Sequence, residues 1–365
     1  MSRYVSNPLL INGHKFDLRI YVLVTSFEPL RVYIYKEGLA RFATEPYTNN
    51  HSKGNRYVHL TNYSVNKKND NFIQNDNCEQ DDFGFKWSLS ALCKHLETIG
   101  IDMNLLWSRI YDVVLKSIIS GEYSIMNAIK KNCIHRTNCF EVFGYDILLD
   151  SDLKPWLVEI NLSPSLACDS PLDTTIKSNL MADTFNLIGV KKFDRRKESM
   201  NKMKYRMKGA AQRGKSYTGS RYPNTFNPLG NKCNTVFTVT NTFQNSHSSD
   251  FYNNAPNTRV LNEINKFLEL NSASDTEKQS MRKIASLKQK EILFETMSEY
   301  ARKGNFVRIY PAKGSDLYDC FFQQNRPLNR FIYKCLFTDE LFPMIRPNEV
   351  KVNYVVNFDG MGQFD

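Results

Sequence analysis

Apolar residues are arranged in two ways along the chain: as short β-branched and aromatic blocks, and at spacings of three and four. Residues 18–26 (LRIYVLVTS) and 30–35 (LRVYIY) are of the first kind. Phe27, Glu28 and Pro29 separate them, which predicts a hairpin. Residues 56–63 (RYVHLTNY) predict another short strand, and the Asn- and Asp-rich stretch 67–84 predicts a loop. From Trp87 to Ile99 the apolar positions Leu89, Leu92, Leu96 and Ile99 have helical spacing. A longer helix is predicted over residues 104–129, with Leu106, Ile110, Val113, Val114, Ile118 and Ile125 on its apolar face. Residues 139–149 and 155–161 predict a second strand pair, turned at residues 150–152. Residues 173–187 predict a helix that packs Ile176, Leu180, Met181 and Phe185.

After Gly189 the texture changes. Residues 191–257 are basic, then rich in Asn, Ser and Thr, which predicts a linker or a segment ordered only on binding. Residues 258–270 and 275–303 predict helices. Residues 306–310 predict a short strand, and 317–322 and 328–337 are apolar again. No internal repeat stands out.

With 365 residues, 41% hydrophobic and 13% aromatic, the chain has material for a sizeable core, which excludes full disorder. Apolar runs such as 20–24 and 113–115 fall far short of the ~18 residues of a membrane span. Ser2, Arg3 and Asn7 make the opening polar, so no signal peptide is expected. The eight cysteines contain no CxxC pair; neither a zinc ribbon nor a disulfide framework is predicted, and reduced thiols of a cytoplasmic protein are the simplest reading.

Charge is unevenly spread. The net formal charge is +10, yet residues 1–190 carry −2 and residues 191–365 carry +12. The excess is densest between Lys191 and Lys215, where Lys191, Lys192, Arg195, Arg196 and Lys197 open a run opposed only by Asp194 and Glu198. Such asymmetry suggests an acidic partner, against the plainer reading of a solvated basic linker.

The richest chemistry lies in GYDILLDSDLKPWLVEINLSPS. Residues i and i+2 of a strand share a face, so Glu159 and Asn161 point the same way. A hairpin turned at 150–152 sets Asp146 opposite residues 156–158, next to Glu159. Three oxygen ligands on one face suit a hard cation such as Mg²⁺; a wet sheet face is the competing reading, at about even odds on spacing alone. A basic group also alternates: Lys15, Asp17 and Arg19 share a strand face, and Arg41 follows the next strand. Cations there can neutralise charge developing in phosphoryl transfer, although salt bridging along or across strands, as of Lys15 or Arg19 with Asp17, is the better reading of these residues taken alone.

SNPLLINGHKFDLRIYVLV, GLARFAT, HLTNYSVNKK and GYDILLDSDLKPWLVEINLSPSLACDSPLD occur in this order, and together they resemble the tubulin tyrosine ligase-like family, most of all its polyglutamylase members. The resemblance covers residues 2–190. It implies an α+β chain with an ATP-grasp fold, use of ATP and Mg²⁺, and addition of free glutamate to the acidic tails of tubulin. It implies that Arg3, Tyr4 and Val5 form the adenine hinge, and that Lys15, Asp17 and Arg19 contact the nucleotide or acyl-phosphate. It places Arg41 near the γ-phosphate, His59, Thr61 and Asn62 along the nucleotide site, and Asp146, Glu159 and Asn161 on Mg²⁺. Arg19, Arg41 and Glu159 are the expected catalytic residues. The expected domains are a partial catalytic core at 1–190, a basic linker at 191–257 and a mainly helical extension at 258–365. Cytoplasm and cytoskeleton, or the basal body of a cilium or flagellum, are the expected places, with neither nucleic acid nor membrane as partner.

Family members place a further N-terminal portion before the NPLLI segment, which supplies the first part of the grasp. Met1 stands directly before the hinge, so a truncated gene model, a fragment or a degenerate paralogue is expected, weakly active by itself. Glycylase, tyrosine ligase and non-catalytic microtubule binder are the competing functions. GAAQRGKS at 209–216 satisfies the GxxxxGK[ST] phosphate-loop pattern, but the required strand before it and helix after it are missing from the surrounding sequence. The basic run invites a direct test. Reversing the charge of Lys191, Lys192, Arg195, Arg196 and Lys197 is expected to reduce co-pelleting with microtubules, most strongly at low salt.

Overall fold

The structure is a computed structural model, and it describes residues 4–48, 55–73, 81–133, 139–189 and 287–338, together with Met200 and Met203. Its centre is an antiparallel sheet of seven strands among these residues. Strands β1 (Leu10–Ile11), β2 (His14–Phe27) and β3 (Leu30–Phe42) come first. The short helices α1 (Arg56–His59) and α2 (Tyr63–Asn66) follow. Then come β4 (Lys86–Ser88), α3 (Leu89–Thr98), α4 (Met103–Asn132), β5 (Glu141–Leu149), β6 (Pro155–Leu162) and α5 (Pro171–Ile188). The last group is α6 (Leu287–Ala301), β7 (Phe306–Tyr310), a 3-10 helix at Ser315–Phe321 and α7 (Pro327–Phe337). Across the sheet the order is β4-β3-β2-β5-β6, with β1 also paired to β2 and β7 to β3.

The predicted hairpin is longer than its apolar blocks, because β2 and β3 continue through the charged positions Lys15, Asp17, Arg19 and Arg41. Strand alternation explains how both characters fit in one strand. Phe16, Leu18, Ile20, Val22 and Val24 enter the main core, where Leu106, Ile110, Val114 and Ile118 of α4 meet them. Tyr21 and Leu23 point the other way and join Tyr33, Tyr35, Leu39 and the α5 residues Leu172, Ile176 and Leu180. Gly38 is required where β2 and β3 slip register, since a Cβ there would lie 2.4 Å from the carbonyl oxygen of Arg19.

Both central helices are capped as their sequences allow. Asp102 accepts hydrogen bonds from the amides of Asn104 and Leu105 at the start of α4. Ser170 accepts from Asp173 N at the start of α5, Pro171 follows it, and Gly189 ends the helix in the left-handed region at φ 66°.

Residues 56–63 are not a strand. Asn55 caps α1 by accepting from Tyr57 N, and the buried Asn66 amide donates to the carbonyls of Leu60 and Asn62. Side chains that bond local backbone in this way compete with a sheet ladder, and here they close two helical turns. The helix predicted over 258–270 and most of the 191–257 linker lie outside the described residues.

Residues 306–310 do form a strand, and its place is informative. β7 adds to β3 through Val32, Tyr33, Ile34 and Tyr35, so residues drawn as a separate extension supply part of the same sheet. Buried polar groups cross the same boundary. Arg31 reaches Glu299 at 3.3 Å and Thr296 at 3.2 Å, and Thr25 donates to Glu299 at 2.7 Å. Arg326 donates twice to Glu122 Oε2 of α4, at 3.2 and 2.5 Å. Burial pushes the Glu122 carboxyl up, against the opposing pull of Arg326. Stripping that partner leaves a buried acid unpaired. Arg326→Met is therefore expected to lower stability by about 3–5 kcal/mol in urea unfolding, with Glu122→Gln in the same chain recovering part of the loss.

Candidate active site

One face of the sheet gathers the charged side chains. On β2 the odd positions Lys15, Asp17 and Arg19 share that face, and cross-strand pairing brings them partners. Asp17 lies opposite Arg41 of β3, and Arg19 lies opposite Asp146 of β5. Asp146 in turn faces Glu159 of β6, and Gly144 faces Asn161. The register expected from the turn is thus off by one residue. A bulge between Asp146 and Ile147 accounts for it, by seating Asp146 directly on Glu159.

The guanidinium groups hold the two buried aspartates in forked pairs. Arg41 donates through Nε to Asp17 Oδ1 at 2.8 Å and through Nη2 to Asp17 Oδ2 at 2.5 Å. Arg19 donates through Nε to Asp146 Oδ1 at 2.5 Å and through Nη2 to Oδ2 at 3.1 Å. The Nη2 of Arg41 also lies 2.9 Å from Asp146 Oδ2, so one carboxylate is shared by two arginines. The bridge to Asp17 thus comes from Arg41, not from Lys15 or Arg19 on the same strand. Asp146 is 2% exposed. Burial works against its charge, but hydrogen bonds and charge from Arg19 and Arg41 outweigh it and hold the carboxyl below its usual range.

Glu159 and Asn161 stand on the more open side. Asn161 Nδ2 donates to Glu159 Oε1 at 3.1 Å and to the Gly144 carbonyl at 3.3 Å, which leaves its amide oxygen as the atom it could offer a cation. Asp146, Glu159 and Asn161 thus offer only oxygen, the donor set of a hard cation, and they fit Mg²⁺ in kind. The described residues contain no cluster of three or more His, Cys, Asp and Glu that could hold an ion without such an amide. The loop after β6 is set by two backbone features. Ser163 takes a left-handed φ of 57°, and Pro164 packs where a Cβ on Gly144 would sit, 2.8 Å away.

Lys15 is buried, with its ammonium 4.8 Å from the centre of the Tyr4 ring. Burial lowers its pKa, and Asp17 opposes that shift. Tyr4 is half exposed and its hydroxyl lies 2.9 Å from His59 Nδ1, so the predicted hinge and the HLTN segment do meet. Val5 follows Tyr4 and is partly buried, Thr61 is buried, and Asn62 is exposed at the start of α2. Arg3 lies outside the described residues.

Sequence reasoning missed a second charged group on the same face. Lys86 of β4 is opposite Arg41, donates to Asp173 Oδ2 at 2.7 Å and lies 3.9 Å from the centre of the Tyr63 ring. Lys177 reaches Asp173 Oδ1 at 2.9 Å and donates to the carbonyl of Ala167 in the LSPS loop. Only the i,i+4 spacing of Asp173 and Lys177 could have signalled this cluster in advance. Between the two groups stands Tyr21, fully buried, whose hydroxyl has no hydrogen-bond partner among the described residues.

Comparison with known sequences gives this arrangement its context. The profile of the tubulin-tyrosine ligase family matches residues 1–198, a span that contains every side chain of both charged groups. The chain belongs to the tubulin-tyrosine ligase family. Among its relatives, the mouse protein "Tubulin polyglutamylase TTLL5" is 37% identical over 359 residues, which is 93% of this chain and 23% of that protein. "Tubulin polyglutamylase ttll-5" of Caenorhabditis elegans is 50% identical over 198 residues, covering 54% of this chain and 27% of the relative. Mouse "Tubulin monoglutamylase TTLL4" is 47% identical over 193 residues, covering 52% and 16%. The chain thus spans about a quarter or less of the length of these relatives.

Asp146 and Asp173 make the site acid-sensitive. Burial opposes charge on Asp173 too, yet Lys177 and Lys86 hold its carboxyl below the usual range. A lowered acid contributes stability above its unfolded value of roughly 3.9 and loses it as pH falls through the lower folded value. Unfolding free energy is therefore expected to fall as pH drops below about 4, and the fall is expected to be shallower in Asp146→Asn and Asp173→Asn.

Proposed function

We propose that this chain carries the metal- and phosphate-binding half of an ATP-dependent tubulin polyglutamylase. The observation that carries the reading is one sheet face with two duties. Asp146, Glu159 and Asn161 present oxygen there, while Arg19 and Arg41 lie beside them at hydrogen-bond distance from Asp146. Grouping an all-oxygen donor set with fixed guanidinium groups suits phosphoryl transfer, which depends mainly on positioning and charge stabilisation. The polyglutamylases and the monoglutamylase among the relatives support the choice of substrate.

The reaction has two steps. The γ-carboxylate of a glutamate in the tubulin tail attacks the γ-phosphorus of ATP, ADP departs, and an acyl-phosphate forms. The amine of free glutamate then attacks the acyl carbon, and phosphate leaves as the isopeptide bond closes. Arg41 and Arg19 face the transferring phosphoryl group and offset the charge that gathers on its oxygens. Asp146, Glu159 and Asn161 would hold Mg²⁺, whose charge would add to that of the arginines. Lys15 lies toward the phosphates on the same strand face. Tyr4 and Val5, with Arg3, take the adenine, and His59, Thr61 and Asn62 line the nucleotide beside them.

Tubulin makes the microtubule cytoskeleton the place of action, and the basic run at 191–215 would draw acidic tails to the site. Among the described residues no helix is long and apolar enough to cross a membrane. The test is a chimaera in which residues 1–198 replace the aligned segment of the mouse relative. It is expected to add labelled glutamate to tubulin in the presence of ATP. Glu159→Gln is expected to cut the rate by about 100-fold or more. Incorporation of glycine or tyrosine instead would assign the site to a glycylase or a tyrosine ligase. Pelleting with microtubules without any incorporation would mark a non-catalytic binder.

A further inference from the structure

The cysteine spacing signalled no bonded pair, yet the fold brings two cysteines together. Cys133 caps the C-terminal end of α4, where its amide donates to the carbonyl of Ile129. Cys139 lies two residues before β5 begins. Their sulfurs are 3.4 Å apart, the Cys139 thiol directed at Cys133. Cys133 is exposed and Cys139 partly so, which sets them apart from the buried Cys335. Nothing in the proposed reaction uses them. Among the described residues they belong to no cluster of three metal-ligating side chains.

We propose that Cys133 and Cys139 are a redox-active dithiol that closes to a reversible disulfide between the end of α4 and the lead-in to β5. Two thiols in contact are placed to close to the ~2.05 Å of a disulfide bond. The oxidant is a low-molecular-weight disulfide, and the exchange balances. The Cys133 thiolate attacks one sulfur of that disulfide, its S–S bond breaks, and one small thiolate leaves. Cys139, on losing its proton, attacks the Cys133 sulfur, the mixed disulfide breaks, and the second small thiolate leaves. The two cysteines lose two electrons, the small disulfide gains them, and the two thiol protons end on the two small thiols. Exposure decides the order, because Cys133 meets a soluble oxidant first. Burial, then the neighbouring sulfur, push the Cys139 thiol up, so it suits the resolving role. A bridge at the surface stays open to reducing thiols, which makes it a labile bond rather than a structural one.

Asp146 lies along β5 beyond Glu141, whereas the bridge would precede the strand. The test uses the full chain equilibrated with glutathione buffers of graded redox poise, followed by alkylation and peptide mass analysis. The expected product is a linked peptide containing Cys133 and Cys139, two hydrogens lighter than the dithiol form. Cys93 and Cys335 should stay alkylatable, and Cys168 and Cys320 should give at most mixed glutathione adducts. Cys133→Ser is expected to leave Cys139 as a free thiol or a mixed disulfide, and Cys139→Ser is expected to trap glutathione on Cys133. Phenylarsine oxide, which bridges two thiols at contact distance, is expected to protect both cysteines from alkylation at one equivalent and neither of them in either Ser variant. Full alkylation of both at the most oxidising poise, or glutathione adducts on both with no internal bond, would overturn the proposal. So would arsenical protection that survives in the Ser variants.

Discussion

The carboxylate of Asp146 is the constraint on which the rest of the site depends. It is nearly fully buried, and a charge in that position must be matched or it destabilises the fold. Two arginines from two different strands match it, and one of them also matches Asp17. The four side chains form a closed set of two acids and two bases on three adjacent strands. Each member has its geometry fixed by the others, because a guanidinium fork satisfies a carboxylate in one plane only. Lys15 and Glu159 remain on the margins of this neutral set, one cation and one anion. A polyanionic ligand that reaches the face meets donors already positioned, which is what the proposed phosphoryl transfer requires.

Strand alternation is how one sheet serves two purposes. The even residues of β2 from Phe16 to Val24 are apolar and build the core against α4. Its odd residues begin as Lys15, Asp17 and Arg19 and continue as Tyr21 and Leu23, which pack with α5. The charged face therefore merges into an apolar one along a single strand. Tyr21 sits at the junction, its ring in the apolar cluster and its hydroxyl near the charged groups; burial, against the pull of Arg19, pushes that hydroxyl up to about 12. The outer strand β6 is different. It lies at the edge of the sheet and leaves Val158, Ile160 and Leu162 exposed.

Period-two patterning made this face legible before any coordinates. Asp146, Glu159 and Asn161, and Lys15, Asp17 and Arg19, were grouped from strand geometry alone, and each group does share a face. The register error of one residue came from a bulge, which leaves no mark in the hydrophobic pattern. The helices were legible where three turns or more repeat the same stripe, as in α4. The short helices at 56–66 were not, because they rest on Asn55 and Asn66 bonding nearby backbone rather than on periodicity. Lys86 and Asp173 are 87 residues apart and look like ordinary surface charges in a linear reading. Glu122 and Arg326, 204 residues apart, are hidden for the same reason. Pairing at such distance is a property of topology, and single-sequence patterns do not encode it.

Strand β3 finds its outer neighbours at two very different ranges. Trp87 lies 47 residues beyond its partner Ala40, whereas Arg308 lies 275 residues beyond Tyr33. The entropy of closing a flexible loop grows with the logarithm of its length, so the remote pairing starts about 1.6 kcal/mol behind the near one. On that ground the β4 half of the edge zips first, while Val32 to Tyr35, already paired with β2, wait with the backbone groups on their outer side unpaired. A ribosome would have released most of the chain before β7 could arrive to cover them.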